Sequence, residues 1–337
     1  MRAEHELHAL RPAEPASPRA PVRIVCLGGG TGLPRVLRGL KRYVPASPSW
    51  PGLRLTAVVA MADDGGSSGR LRRELGLLPP GDLRNCLVAL ADGRRRTLRR
   101  LFQHRFEGGG ALQGHAVGNL VLSALAQRGG DFLEATRLAG ELLGVRGRVM
   151  PSTLRPVVLR AELCDGQRIR GERALSRARC PVLRAALDPE RPPPAPGVLS
   201  ALASADLVVL GPGSLYSSVL ATLLVDGVAD AVARSPALKV WVQNLSPQRG
   251  ETAGLSALDH LAVLRAHAGP VVDAVLAHDG PTPIEVDARA IARAGAFVVR
   301  GDVAASDHRH HPERLGAWLL RLALWTLAAR GRPEEEA

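Results

Sequence analysis

The sequence predicts an α/β protein with a doubly wound, mostly parallel sheet and a small inserted lobe that contains β-structure. Two strand–loop–helix units support this prediction, because in each an apolar run ends in glycines and is followed by residues with helical spacing. Of the 337 residues, 46% are hydrophobic but only 3% are aromatic, so Leu, Val and Ala must form most of the core. Such a core suits parallel strands covered by helices.

The first part of the chain begins with one of these units. Val22–Leu27 is predicted to be a strand, a glycine run follows it, and Leu33–Lys41 has helical spacing. Leu55–Ala60 is predicted to be a second strand, and Asp63–Gly69 after it a polar loop. Asp82 follows two prolines and is predicted to cap the next helix. Further helices are predicted around Leu98–Phe106, Ala116–Gln127 and Phe132–Leu143.

The character of the sequence changes between residues 149 and 196. Val157–Leu163 and Gln167–Gly171 flank Cys164-Asp165-Gly166, which predicts a β-hairpin. The α/β pattern then resumes, with strands at Asp206–Leu210, Lys239–Gln243 and Val271–Leu276 and a helix at Leu215–Leu224. The predicted division is a flexible tail (1–21), two parts of a nucleotide-binding core (22–148 and 197–330), the inserted lobe with its linker (149–196) and a C-terminal tail (331–337).

The net charge of +12 does not indicate nucleic-acid binding. Only Lys41 and Lys239 among the 44 basic residues are lysines, and the arginines are spread along the chain without interleaved aromatic residues. No membrane span is predicted, because the apolar stretch Leu315–Leu327 is short and Arg321 interrupts it, which is typical of an amphipathic helix. The four cysteines lack C-x-x-C spacing, which argues against a metal or disulfide framework and fits a cytosolic protein.

The glycine run between the first strand and its helix is Gly28-Gly29-Gly30-Thr31-Gly32. Without Cβ atoms, its backbone can approach a ligand and direct N–H groups at an anion beside a helix N-terminus. Leu33 stands where the dinucleotide-binding fingerprint requires glycine, and no Walker lysine follows. We therefore interpret the run as a phosphate-binding loop of another type.

The second strand is followed by Asp63-Asp64-Gly65-Gly66-Ser67-Ser68-Gly69-Arg70. In an open α/β sheet this segment faces the same crevice as the first loop. Two carboxylates beside a phosphate require ligand hydroxyl groups or a divalent cation, so a sugar hydroxyl and a Mg²⁺ ion at Asp63 and Asp64 remain alternatives. Arg70 and Arg72 are predicted to balance the negative charge.

Two further patterns are candidates for the same site. Gly211-Pro212-Gly213-Ser214 repeats the strand–loop–helix arrangement, and Ser214 is predicted either to cap the helix or to bind an anion. His115 and Asn119 lie four residues apart on one face of an apolar helix. They belong either to a polar network of the core or to the site.

Five stretches of the sequence resemble the gluconeogenesis-factor (YvcK) branch of the CofD-like family, which is related to 2-phospho-L-lactate transferases. They occur in order between about residues 22 and 328: Gly28–Leu40, Ala62–Leu90, Gly114–Leu122, Gly211–Val225 and Gly250–Leu261. The resemblance implies a Rossmann-like core, a cytosolic location and binding of a UDP-sugar such as UDP-N-acetylglucosamine. It extends the ligand-binding residues to Asp82, Arg84, Asn85, Asn244 and Arg309.

The resemblance also implies a regulatory role in cell-wall precursor supply, cell shape and growth on gluconeogenic carbon, with no established catalysis. The alternative is a CofD-type transferase, in which Asp63 or Asp64 holds Mg²⁺ at the donor diphosphate. A nicotinamide-dependent dehydrogenase is disfavoured, because the acidic residue expected about 20 positions after the glycines is missing. We expect a homodimer, and the regulatory role leaves room for a protein partner.

Overall fold

The structure is a computed structural model that describes residues 20–306 and 308–330. The tails predicted at 1–21 and 331–337 therefore lie outside it, apart from residues 20 and 21. In chain order the elements as far as the main sheet's third strand are β1 (Val22–Gly28), α1 (Leu33–Leu40), β2 (Leu53–Val59), α2 (Gly66–Leu75), α3 (Gly81–Leu90), α4 (Arg96–Gln103), α5 (Val117–Gly129), α6 (Phe132–Leu143) and β3 (Arg148–Pro151).

The following segment contains β4 (Val158–Leu163), β5 (Arg168–Arg170), α7 (Glu172–Leu175), β6 (Val182–Asp188) and α8 (Val198–Ala203). The remaining elements are β7 (Leu207–Leu210), a π-helical segment (Leu215–Leu220) that continues into α9 (Ala221–Leu223), α10 (Val228–Arg234), β8 (Leu238–Val242), α11 (Ala257–Ala268), β9 (Ala274–His278), α12 (Ala288–Arg293), β10 (Phe297–Gly301), β11 (Ala304–Ser306), β12 (Arg309–His310) and α13 (Pro312–Arg330).

The main sheet has seven strands in the order β10-β9-β8-β7-β1-β2-β3. Every neighbouring pair is parallel, as the sequence predicted. The chain runs outward from β1 through β2 to β3, then returns to β7 on the other side of β1 and runs outward again. The point between β1 and β7 is therefore the topological switch point, where open α/β sheets bind ligands beyond the carboxyl ends of their strands.

The central strand is buried on both faces, as an all-parallel sheet requires. In β1 only Arg23 is exposed, and its guanidinium pairs with Asp206 at the start of β7. The C-terminal helix α13, predicted as amphipathic over Leu315–Leu327, packs against α1. Gly39 and Gly316 lie where the two helix backbones come too close for a Cβ atom on either residue.

The inserted lobe is a three-stranded antiparallel sheet in the order β5-β4-β6, which confirms the predicted hairpin. It lies within the predicted range 149–196, although β3 at the start of that range joins the main sheet. Among the described residues no single helix is long and apolar enough to cross a membrane. The segments Leu215–Leu223 and Val228–Arg234 reach that length and composition only together, with a bend of 78° between them.

The segment after β2 differs from its prediction. Asp63–Gly69 was predicted to be a loop because glycine and serine favour turns, but α2 already begins at Gly66. The close packing of this helix start explains its composition, since a Cβ atom on Gly69 would overlap the carbonyl oxygen of Asp64. Gly66 has a φ of +44°, in the region that favours glycine.

Candidate functional site

The two glycine loops meet at the switch point between β1 and β7. Leu27 pairs with Leu210, so the two strands end level with each other. A Cβ atom on Gly28 would lie 3.7 Å from the Cα atom of Gly211, and one on Gly32 would overlap the carbonyl oxygen of Pro212. Gly32 therefore allows the two loops to touch, which is a packing requirement that the sequence alone did not reveal.

An internal carboxylate occupies part of the first loop. The Gly30 N–H donates to Oδ2 of Asp82 over 2.6 Å, and a Cβ atom on Gly29 would lie 2.6 Å from the same oxygen. The prediction that Asp82 caps α3 is wrong, because Pro80 occupies the N-cap position and no side chain caps this helix. Asp82 lies in the first turn instead, and its carboxylate reaches an N–H group predicted for a phosphate.

The second loop is held by hydrogen bonds to side chains from a later part of the chain. Asn244 accepts from the Gly213 N–H over 3.0 Å and donates to the Gly213 carbonyl over 2.8 Å. The Ser214 hydroxyl accepts from the Ser217 N–H as a cap, which is one of the two roles predicted for it, and donates to the Glu251 carboxylate. Asn244 and Ser214 thus tie the second loop to the segment that follows β8.

A cavity of about 610 Å³ opens beside these loops, at the carboxyl end of β2. Ten predicted ligand-binding residues line it, whereas the two glycine loops, Asp64, His115, Asn244 and Arg309 do not. Its lining comprises Asp63, Gly65, Gly66, Ser67, Ser68, Arg70, Arg73, Gly81, Asp82, Arg84, Asn85, Arg105, Gly114, Asn119 and Arg173.

Five arginines and two acidic residues are among the described residues that line this cavity, so its wall carries more positive than negative side chains. The most informative is Arg84, whose side chain is buried with only 3% of the residue exposed. Its Nη2 donates to Oδ1 of Asn85 over 2.7 Å, but Nε and Nη1 have no hydrogen-bond partner among the described residues. Burial, aided by Arg105, lowers the pKa of Arg84 to about 10, so the guanidinium is still charged at neutral pH.

Four acidic side chains converge on the same region from both halves of the core and from the lobe. Burial is the main cause that raises the pKa of each, to about 6 for Asp82 and about 8 for Glu172. The pKa values of Asp63 and Glu251 are also raised. For Asp63 this holds although the hydrogen bond that it accepts from the Gly65 N–H over 2.7 Å acts to lower its pKa. Mutual repulsion contributes, since Asp63 raises the pKa values of both Asp82 and Glu172.

Asp63 and Asp64 are adjacent in sequence but have different neighbours. Asp64 accepts from the backbone N–H of Arg173 in the inserted lobe over 3.3 Å, and it is not among the described residues that line the cavity. Asp63 faces the cavity beside Asp82. The second carboxylate of the cavity wall is therefore contributed by Asp82 of α3.

His115 and Asn119 share one buried polar network, which is one of the two roles that their spacing left open. Both side chains hydrogen-bond the buried hydroxyl of Ser67, His115 Nδ1 at 3.0 Å and Asn119 Nδ2 at 2.9 Å. Burial lowers the pKa of His115, so the ring is neutral at pH 7. Asn119 also lines the cavity, and its Oδ1 has no partner among the described residues, so it can accept from a ligand.

Sequence reasoning missed several residues of the site. It selected Arg72 with Arg70, but Arg73 lines the cavity because residues three apart share a helix face. Helical spacing could have shown this once α2 was recognised. No local sequence pattern pointed to four other residues, because only the packing of the lobe and of distant loops places them near the cavity: Arg105, Arg173, Glu172 and Glu251. Arg309 is exposed on β12 and lies near Arg35 of α1.

The raised pKa of Asp82 predicts a pH dependence of stability. Its value of about 6 exceeds the ordinary value of 3.8, so the folded protein holds a proton that the unfolded chain releases. The contribution of Asp82 to stability therefore falls as pH rises from about 4 to 6. Asp82→Asn keeps a hydrogen-bond acceptor for the Gly30 N–H but cannot ionise. Its effect on the free energy of unfolding should therefore be more stabilising at pH 7 than at pH 4, by about 1–3 kcal/mol.

Urea unfolding at several pH values between 4 and 7 measures this difference. Asp230→Asn, which removes an exposed carboxylate on α10, serves as the control and should leave the shape of the pH curve unchanged. Parallel curves for Asp82→Asn and the wild type would show that the Asp82 carboxyl does not titrate in this window.

The sequence of this chain is similar to a known protein family and to several individual proteins. The profile of the family described as 2-phospho-L-lactate transferase CofD matches residues 24–314. The gluconeogenesis factor of Halalkalibacterium halodurans is 45% identical over 267 residues, which cover 79% of this chain and 80% of that protein. The gluconeogenesis factor of Bacillus subtilis is 43% identical over 265 residues, covering 78% and 81%.

A solved structure has the same fold. The crystal structure of a UPF0052 family member from Bacillus halodurans superposes with a TM-score of 0.84 at 38% identity, and the match covers 90% of this chain and 100% of that one. This chain therefore shares its fold with the solved relative over 90% of its own length.

Proposed function

The chain belongs to the CofD family, with gluconeogenesis factors among its relatives, and from this premise we propose that it is a regulator that binds a sugar nucleotide. The proposed ligand is UDP-N-acetylglucosamine or UDP-glucose, bound at the cavity beside the switch point. Binding reports the supply of sugar nucleotide and links carbon metabolism to cell-wall synthesis and cell shape. We place this activity in the cytosol and in a homodimer.

The incompletely satisfied guanidinium of Arg84 is the observation that carries the proposal. Its side chain is buried, its Nε and Nη1 groups have no hydrogen-bond partner among the described residues, and a phosphate oxygen would satisfy both groups. Arg70, Arg73, Arg105 and Arg173 around the same cavity supply further charge for a second phosphate. A cavity wall with five arginines and two aspartates suits a diphosphate better than a neutral sugar.

The carboxyl groups suit the rest of such a ligand. Asp63 and Asp82 can accept hydrogen bonds from sugar or ribose hydroxyls, and Asn119 offers its Oδ1 beside them. The same two carboxylates are oxygen donors of the kind that Mg²⁺ prefers, so a cation bridging them to the diphosphate is the alternative. Asp64, predicted as a cation ligand from the sequence, would have to leave the Arg173 N–H to take part.

Isothermal titration calorimetry of the purified protein tests the proposal with UDP-N-acetylglucosamine, UDP-glucose and GDP, each with and without Mg²⁺. We expect saturable binding of a UDP-sugar whose affinity falls as salt rises, because the anion site is electrostatic. UMP is a control, and we expect it to bind about tenfold or more weakly because it lacks both the second phosphate and the sugar. No heat with any of these nucleotides would exclude a sugar-nucleotide function.

A CofD-type transferase is the second candidate, favoured by the family profile and by the paired carboxylates Asp63 and Asp82. In this function the arginines hold the donor diphosphate, while the carboxylates hold the Mg²⁺ that neutralises the leaving phosphate. Incubation with a guanosine-diphospholactate donor and a deazaflavin acceptor, followed by chromatography, tests for the phospholactyl product. The absence of product under metal-replete conditions would eliminate this candidate.

A further inference from the structure

Two cysteines of the inserted lobe lie next to each other, just beyond the paired ends of neighbouring strands. Cys164 follows β4 and is exposed, whereas Cys180 precedes β6 and is partly buried. The Cys164 N–H donates to the carbonyl of Pro181 over 2.9 Å, and Leu163 pairs with Val182 in the β4–β6 ladder. The two thiols also contact each other, and the hydrogen bond to Cys180 is the main reason why the pKa of Cys164 is raised to about 11.

The segment between these cysteines, residues 165–179, reaches over the candidate site. Arg173 lines the cavity and its N–H binds Asp64, and Glu172 belongs to the group of buried acids beside Asp63 and Asp82. On the other side, the carbonyl groups of Leu175 and Ser176 lie within 2.6 Å of where a Cβ atom on Gly250 would be. The segment therefore bridges loops from both halves of the core.

We propose that Cys164 and Cys180 form a reversible disulfide that clamps residues 165–179 over the cavity. The oxidant is a small-molecule disulfide. The Cys164 thiolate attacks it and releases one thiol, and the Cys180 thiolate then attacks the Cys164 sulfur and releases the second. One disulfide bond forms as one breaks, and the two protons of the protein thiols pass to the two released thiols.

The position of the pair explains why it should react selectively. Cys26 and Cys86 are completely buried in the core and burial raises both of their pKa values, so they act as internal controls within the same chain. Because the Cys164 thiol is a weak acid, the first attack should accelerate as pH rises from 7 to 9. The closed ring contains the short helix α7, so closing it limits how far Arg173 and Glu172 can move from the site.

Oxidised glutathione is the probe, applied to the whole protein at pH 8 and followed by thiol counting after denaturation. The chain has four cysteines, and we expect the free thiols to fall to two and to return to four on reduction. Digestion with trypsin without reduction should yield Ala161–Arg168 joined to Cys180–Arg184, since arginines separate the two peptides. Cys164→Ser and Cys180→Ser should each abolish this joined pair.

Cleavage of the native protein tests the clamp itself. Residues 165–179 contain five arginines, and trypsin should cut among them several-fold more slowly in the oxidised protein than in the reduced protein. Failure to form the joined peptides, or their formation only between two chains, would overturn the pairing. Equal cleavage rates in the two states would overturn the clamp. Neither readout depends on which nucleotide binds, so the outcome is independent of the proposed function.

Discussion

Replacing Arg84 with Met is expected to weaken binding of UDP-N-acetylglucosamine by roughly 100-fold or more without destabilising the protein. The guanidinium is buried and two of its nitrogens have no hydrogen-bond partner among the described residues, so it is poised for an anion. Met keeps the aliphatic stem that packs against Gly118. Burial disfavours the charge of Arg84 more than Asp82 and Asp63 favour it, so the free energy of unfolding should stay constant or rise by about 1 kcal/mol when the charge is removed.

Calorimetry and urea unfolding of the same preparation measure both effects. Arg128→Met is the matched control, since Arg128 is exposed at the end of α5 and does not line the cavity. It removes the same charge from the chain and should leave affinity and stability nearly unchanged. An Arg84→Met protein that binds as tightly as the wild type would show that the ligand lies elsewhere. A large loss of stability would show that the interactions of Arg84 with Asn85, Asp63 and Asp82 outweigh the cost of burying its charge.

Replacing Gly32 with Ala is expected to affect stability more than Arg84→Met does, with a loss of about 3 kcal/mol in the free energy of unfolding. Gly32 has a φ of −76°, so alanine causes no backbone strain there. Its Cβ atom would instead overlap the backbone carbonyl of Pro212, which cannot rotate away as a side chain could. The two glycine loops must therefore separate, and ligand affinity should fall together with stability.

Gly93→Ala provides the control for this substitution. No atom of the described residues lies within 4 Å of the position that a Cβ atom on Gly93 would take, and the φ of Gly93 lies outside the left-handed range. The free energy of unfolding of this variant should remain within about 0.5 kcal/mol of the wild type in urea. Similar stabilities of Gly32→Ala and the wild type would mean that the loops between β1 and β7 move apart easily.

These predictions share one structural cause, the convergence of several chain segments at the switch point. The first loop, the second loop, α2 and α3 belong to the core, whereas Arg173 and Glu172 come from the lobe. A ligand at this position would contact both. This arrangement explains why changes at the lobe, including the redox state of its cysteines, should influence a site formed mainly by the core.

Much of the fold could be predicted from local patterns. Strand–glycine–helix units identified β1 and β7 with their loops, and the cysteine-containing turn identified the β4–β5 hairpin. Phe132–Leu143 was placed at its observed bounds, and the four-residue spacing of His115 and Asn119 selected Asn119 as a candidate residue. Hydrophobic periodicity and turn residues determine these features because they act over a few neighbouring positions. Arg84 was selected through the family resemblance and not from a local pattern.

Other features were decided by contacts between distant residues. Asp82 was predicted to be a helix cap, but its carboxylate accepts from the Gly30 N–H, 52 positions away, because α3 packs against α1, the helix that follows the first glycine loop. Asp63 and Asp64 were both predicted to face the ligand, yet Asp64 accepts from the backbone N–H of Arg173 in the lobe and does not line the cavity. The sequence alone determined which segments fold as strands and helices and where the glycine loops fall. Only the tertiary structure decided which charges face one another, because a pKa and an unpaired guanidinium depend on burial and on neighbours that local sequence does not specify.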